Sequence, residues 1–181
     1  LAWDDTVRKH LDFFRLADPH ADALVTARDL VTHRTGLPRH DVLWVRTGLG
    51  REELIRRIGP AKTAAQFRGV YQYQNLMFTS AGELVGRVSG LGWDGFVQQR
   101  ILLPLGMKDT STAYADMLRH TNMAMPHIKG KSNPLQNYDN IGGAGSIASS
   151  VDDLSRWVRM QLAGGVFEGT RLVSEKQLLA T

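Results

Sequence analysis

Apolar residues recur at helical spacing along this chain only in short stretches, and almost every stretch is closed by glycine or proline. That punctuation constrains the fold more than any other feature. It excludes long helices and coiled coils, and no apolar run approaches the ~18 residues that a membrane span needs. Thr26-Ala27-Arg28-Asp29 fits a capping box with Asp in the Glu/Gln place, and a helix through His33 is predicted, stopped by Gly36 and then Pro38. Arg51 to Ile58 sets Leu54, Ile55 and Ile58 on one face before Gly59-Pro60. Leu76 to Val88 carries Ala81, Leu84 and Val85 at the same spacing, and Gly90 closes it. Asp94 reads as the cap of a further helix containing Phe96, Val97, Ile101 and Leu102, with Pro104 as its stop.

Residues 121–144 contain Pro126, Gly130, Pro134, Gly142 and Gly143 and show no helical period, so a long loop or irregular hairpin is expected. Ser150-Val151-Asp152-Asp153 is a second box-like cap. It opens an amphipathic helix with Val151, Leu154, Trp157, Val158 and Leu162, ended by Gly164-Gly165, and Ser174 caps a last helix. Strand signals are confined to Gly69–Gln74 and Met125–Lys129. The expectation is five to seven helices and few strands.

Length and charge narrow the function classes. At ~150 residues per domain, residues 1–181 read as a single domain able to bury its own core. The absence of cysteine removes disulfides, thiolate metal sites and a cysteine nucleophile. The net charge is +4, but the Lys and Arg are scattered, with Arg56-Arg57 and Lys129-Gly130-Lys131 the densest groups, so no nucleic-acid partner is expected. The opening Leu1-Ala2-Trp3-Asp4-Asp5 has no initiating Met, and the natural start is expected upstream.

Several isolated residues invite a functional reading and have a simpler one. His33, His40 and Asp41 match no metal-ligand spacing, and a helix-terminal histidine with a loop pair explains them, so no metal or cofactor is expected. His127 reads as structural. Gly142-Gly143-Ala144-Gly145-Ser146 lacks the Lys of a phosphate loop and is not Gly-x-Ser-x-Gly, so it reads as a tight turn near a substrate cleft. Trp157 at helical spacing reads as core.

Four phrases taken together resemble one family. They are Thr26-Ala27-Arg28-Asp29-Leu30-Val31-Thr32-His33-Arg34-Thr35-Gly36-Leu37-Pro38, Tyr73-Gln74-Asn75, Leu103-Pro104-Leu105-Gly106-Met107-Lys108-Asp109-Thr110, and Gly142 to Ser146 with Ser150 to Trp157. In that order they are similar to the serine β-lactamase and penicillin-binding-protein-like hydrolases, in the class C-like and esterase branch. The resemblance implies an acyl-enzyme mechanism built on Ser-x-x-Lys, Tyr-x-Asn and Lys-Thr-Gly or His-x-Gly. Only the Tyr-x-Asn is present. No Ser has Lys three residues on, Lys62-Thr63 is followed by Ala64, and His33-Arg34-Thr35-Gly36 is one residue too long.

By resemblance, then, the chain is the central portion of a larger hydrolase, with Ser-x-x-Lys before Leu1 and the third element after Thr181. The fold implied is mainly α: the helical subdomain of the α/β β-lactamase-like (serine transpeptidase-like) fold, with the sheet-forming ends absent. Tyr73 is implied as the catalytic proton shuttle. Asn75 is implied as a substrate-binding amide that both donates and accepts, on the same face as Tyr73 if the pair is extended. The substrate implied is a small β-lactam, D-amino-acid peptide or ester, and an exported bacterial setting is suggested. The chain alone is expected to be inactive, and an apolar face left where the sheet would pack is expected to support a homodimer. The alternative is a non-catalytic helical binding domain on the same scaffold.

Overall fold

The computed structural model describes residues 1–181. Helices α1 (Pro19–Leu24), α2 (Ala27–Val31), α3 (Arg51–Ile58) and α4 (Asn75–Ser89) come first. They are followed by α5 (Gly92–Val97), α6 (Leu103–Leu105), α7 (Tyr114–Met117), α8 (Val151–Leu162) and α9 (Glu175–Leu178). Sheet is limited to two antiparallel hairpins. β1 (His127–Ile128) pairs with β2 (Lys131–Ser132), and β3 (Val166–Phe167) with β4 (Thr170–Arg171). Each turns on two residues of positive φ, Lys129-Gly130 and Glu168-Gly169. That is the conformation whose twist matches a two-residue hairpin.

Helix α4 is the central element, packed against α2, α3 and α5. Its buried residues Leu76, Met77 and Leu84 meet Leu54, Ile55 and Ile58 of α3, the face expected from their spacing, together with Phe14, Leu30 and Leu37. A smaller cluster joins Val97, Leu102 and Leu105 to Met160 and Phe167, with Trp157 packed on its edge.

The capping box at Thr26 forms in both directions, since Asp29 N donates to Thr26 Oγ1 and Thr26 N to an Asp29 carboxylate oxygen. Its helix, however, ends at Val31 rather than running through His33. His33 adopts φ 55°, and Arg34 N donates to Asp29 O at 3.2 Å. This is a left-handed helix terminus of Schellman type, with histidine where glycine is usual. The Gly69–Gln74 strand does not form either. Its backbone bonds to the turn at His33, which is too tightly curved to be a strand: Gln72 N donates to His33 O and Arg68 N to Arg34 O, both at 2.8 Å.

The structure departs from the sequence pattern at three further places. Asp94 lies in the first turn of α5 and does not cap it. Pro104 does not stop that helix, because a π-helical turn at Gln98–Leu102 widens the backbone ahead of the ring, and Gly106 at φ 65° ends it. At α8, the Ser150 cap forms, but Asp153 does not return to the Ser150 backbone. Its carboxylate accepts from Asp109 N and Thr110 Oγ1, which turns Met160 inward. The stripe Val151, Leu154, Val158 and Leu162 is left 81%, 47%, 50% and 84% exposed.

Candidate functional site

Tyr73-Gln74-Asn75 leads directly into α4. Gln74 is the N-cap: its Oε1 accepts from Leu76 N at 3.0 Å and its Nε2 donates to Pro38 O at 2.7 Å. One side chain therefore satisfies an orphan helix N–H and ties the segment to the loop at Pro38–Asp41. Asn75 is the first residue of α4 and is buried, with Nδ2 donating to Asp41 Oδ1 at 3.2 Å. Tyr73 is 42% exposed, with the guanidinium carbon of Arg39 5.3 Å from its ring centroid. The extended run stops at Gln74, so Tyr73 and Asn75 do not continue one strand face. The Pro38–Asp41 loop meets both, with Arg39 on the phenol and Asp41 on the amide.

Asp41 also accepts from Trp44 Nε1 at 3.1 Å and pairs with Arg39. This accounts for the carboxylate next to His40, whose own Nδ1 lies 2.7 Å from Pro38 O. His33 is buried behind Tyr73, its ring centroid 4.6 Å from that of Tyr73 and 4.8 Å from that of Phe78. Burial holds its imidazole below the ordinary 6.5. Spacing along the chain does not mark His33, Asp41 or Gln74 as supports of Tyr73 and Asn75; His33 and Gln74 lie inside the family phrases, and Asp41 lies outside them.

The glycine loop after the 3-10 turn at Asp139–Ile141 lies on the second turn of α4. A Cβ on Gly143 (φ 89°) would sit 2.9 Å from Phe78 O, and one on Gly82 3.2 Å from Gly142 O. Arg51 fixes this loop from the other side. It donates from Nε to Asp139 O at 2.7 Å and pairs with Asp94 at 2.9 Å and Glu83 at 3.7 Å. Burial raises the Glu83 carboxyl above its usual range against the pull of Arg51. A cleft of about 810 Å³ runs between Arg46–Arg51 and Pro134–Asn140. Tyr73 and Asn75 do not line it. Ser80, the serine nearest the motif along α4, is buried and donates to Leu76 O at 2.8 Å, so its hydroxyl is committed to the helix.

This arrangement places a phenol and an amide at the head of a helix. Solved structures share the fold. The octameric penicillin-binding protein homologue from Pyrococcus abyssi superposes with a TM-score of 0.73 at 23% identity, over 99% of this chain and 42% of that one. The D-amino acid amidase from Ochrobactrum anthropi SV3 gives 0.71 at 19% identity, over 98% and 52%. The chain belongs to the Beta-lactamase family, which matches residues 1–181. Among curated relatives it is 30% identical over 168 residues to an unguisins hydrolase of Aspergillus campestris, covering 86% of this chain and 31% of that protein. It is 28% identical over 163 residues to the D-alanyl-D-alanine-carboxypeptidase/endopeptidase AmpH of Escherichia coli, covering 86% and 41%. The chain thus spans 31% and 41% of the length of these relatives.

Proposed function

We propose that this chain supplies the Tyr-x-Asn element of a serine acyl-transfer site whose nucleophile and third motif lie on other segments of a larger hydrolase. The observation that carries the reading is Tyr73, accessible at the head of α4, beside an Asn75 amide already oriented by Asp41. A phenol titrates near ~10 and acts as a base near neutrality only beside a cation. Arg39 lies over the face of the Tyr73 ring and is paired with Asp41 in this chain, so the Lys of a Ser-x-x-Lys segment is the group assigned that task. Asn75 would steady that ammonium and the substrate carbonyl. Residues 1–181 act as one domain, the helical subdomain of the larger fold, and the substrate is a β-lactam, D-amino-acid peptide or small ester.

The test is to assay the 181-residue chain, at verified mass, with a chromogenic β-lactam and a short-chain aryl ester. No turnover above buffer is expected, because binding groups without a nucleophile leave little catalysis. Turnover that survives purification and is lost on Tyr73→Phe would overturn the reading. Saturable binding without turnover by any longer polypeptide containing the chain would favour the non-catalytic binding domain.

The exposed stripe on α8 supports a second element of the proposal, self-association of the isolated chain through that face. Sedimentation velocity should show a dimer that Val158→Lys converts to monomer. A monomer at every concentration sinks this part alone.

A further inference from the structure

We infer that His33 is a positioning residue that sets the backbone of Tyr73 and Asn75, and that a proton on its Nδ1 undoes the setting. The inference takes its functional meaning from the site proposed above. Its physical content stands on two bonds from one residue, one on each side of Tyr73. His33 O accepts from Gln72 N at 2.8 Å, and His33 Nδ1 accepts from Gln74 N at 3.1 Å. A ring nitrogen that accepts from an amide carries no proton, so the hydrogen of the neutral ring is on Nε2. Tyr73 is thus held between two backbone anchors, with its ring against the imidazole that forms one of them.

The geometry leaves little slack. His33 sits at φ 55° with 6% of its surface exposed, and Tyr71 and Phe78 close the ring on other sides. Of the titratable groups on the elements packed against it, Tyr71 and Tyr73 touch the ring; Asp29 and Arg34 belong to α2 and its turn, Arg39 and Asp41 to the following loop, and Arg68 to the anchored segment. From α4, the apolar Phe78 lies against the ring. Asp29 is committed to Arg34 and Arg68, and Asp41 to Arg39, Trp44 and Asn75. No carboxylate pairs with the ring to welcome a second proton. Protonation turns Nδ1 into a donor facing the Gln74 donor, so the bond is lost and the Tyr73–Asn75 backbone is released on one side.

An imidazole harder to protonate in the fold than in the unfolded chain costs stability as pH falls below 6.5, and is without effect above it.

The experiment uses the 181-residue chain and needs no activity. Nitrogen NMR of His33 should show an unprotonated Nδ1 and a protonated Nε2 at pH 7. Amide exchange at Gln74, corrected for its intrinsic pH dependence, should lose about tenfold in protection below the His33 midpoint, the worth of one ordinary net hydrogen bond. His33→Asn keeps an acceptor near the Nδ1 position and tolerates positive φ. It should hold Gln74 protection constant across the same range, and His33→Leu should lose it at every pH. A proton on Nδ1 at pH 7, or the same pH dependence in His33→Asn, would overturn the inference. Failure of the proposed acyl-transfer role would appear instead in the hydrolase assays, with these amide and nitrogen readouts unchanged.

Discussion

Tyr73→Phe, made in a polypeptide that joins this chain to a Ser-x-x-Lys segment, is expected to lower the acyl-transfer rate by roughly 10²–10⁴-fold, the usual worth of a positioned general base. The substitution removes one oxygen. The ring keeps its contacts with His33 and the Arg39 guanidinium, so the fold should not register the change. KM should move far less than kcat, because the phenol acts on a proton in flight and not on resting substrate. The neighbouring Tyr71→Phe is the control. It shares the His33 contact but has no Asn two residues on, and its rate should stay within a factor of about two of the parent, the scatter expected of a surface change. Equal loss in both variants would remove Tyr73 from the catalytic role.

The second large effect is structural. Asp29 is fully buried and accepts from Thr26 N, Thr26 Oγ1, Arg34 and both arms of Arg68, the last at 2.9 and 2.7 Å. Burial by itself would raise its carboxyl, but the bonds from Arg68 and Thr26 outweigh it and hold it below the usual 3.8. Asp29→Ala discards the capping box and the charged bonds together. Because the two guanidinium groups are 42% and 41% exposed and can return to water, the loss is discounted to about 3 kcal/mol. For a chain of this length that is about 6–12 °C in Tm by scanning calorimetry. A shift under about 2 °C would show that the bidentate pair is ornamental. In the parent, the carboxylate's contribution is full above its ordinary range and fades as acid protonates the folded form.

Those residues also mark how much the sequence discloses. The Thr26 box, the Leu54–Ile55–Ile58 face and the Gly90 terminus were legible because each is settled within one or two turns of backbone. The end of α2, the passage through Pro104 and the inward face of α8 were not. The first depends on a histidine taking a glycine's conformation, the second on a π turn, and the third on Asp153 reaching across to Asp109 and Thr110. Periodicity finds the apolar stripe of α8 but cannot say whether anything covers it. The candidate site divides in the same way. Tyr73 and Asn75 are candidates because of the phrases around them, whereas the hydrogen bonds and contacts from His33, Asp41 and Gln74 cross from one loop to another, and no spacing along the chain encodes them.

The backbone contact between Gly82 and the Gly142-Gly143 turn has a consequence for how such a scaffold can diverge. Where two segments meet without side chains, their separation is set by atoms that every residue shares. The stand-off between α4 and that turn therefore works as a fixed gauge. Cleft-lining residues such as Gln136 or Asn137 can then be exchanged while the stand-off of the turn that follows them stays constant.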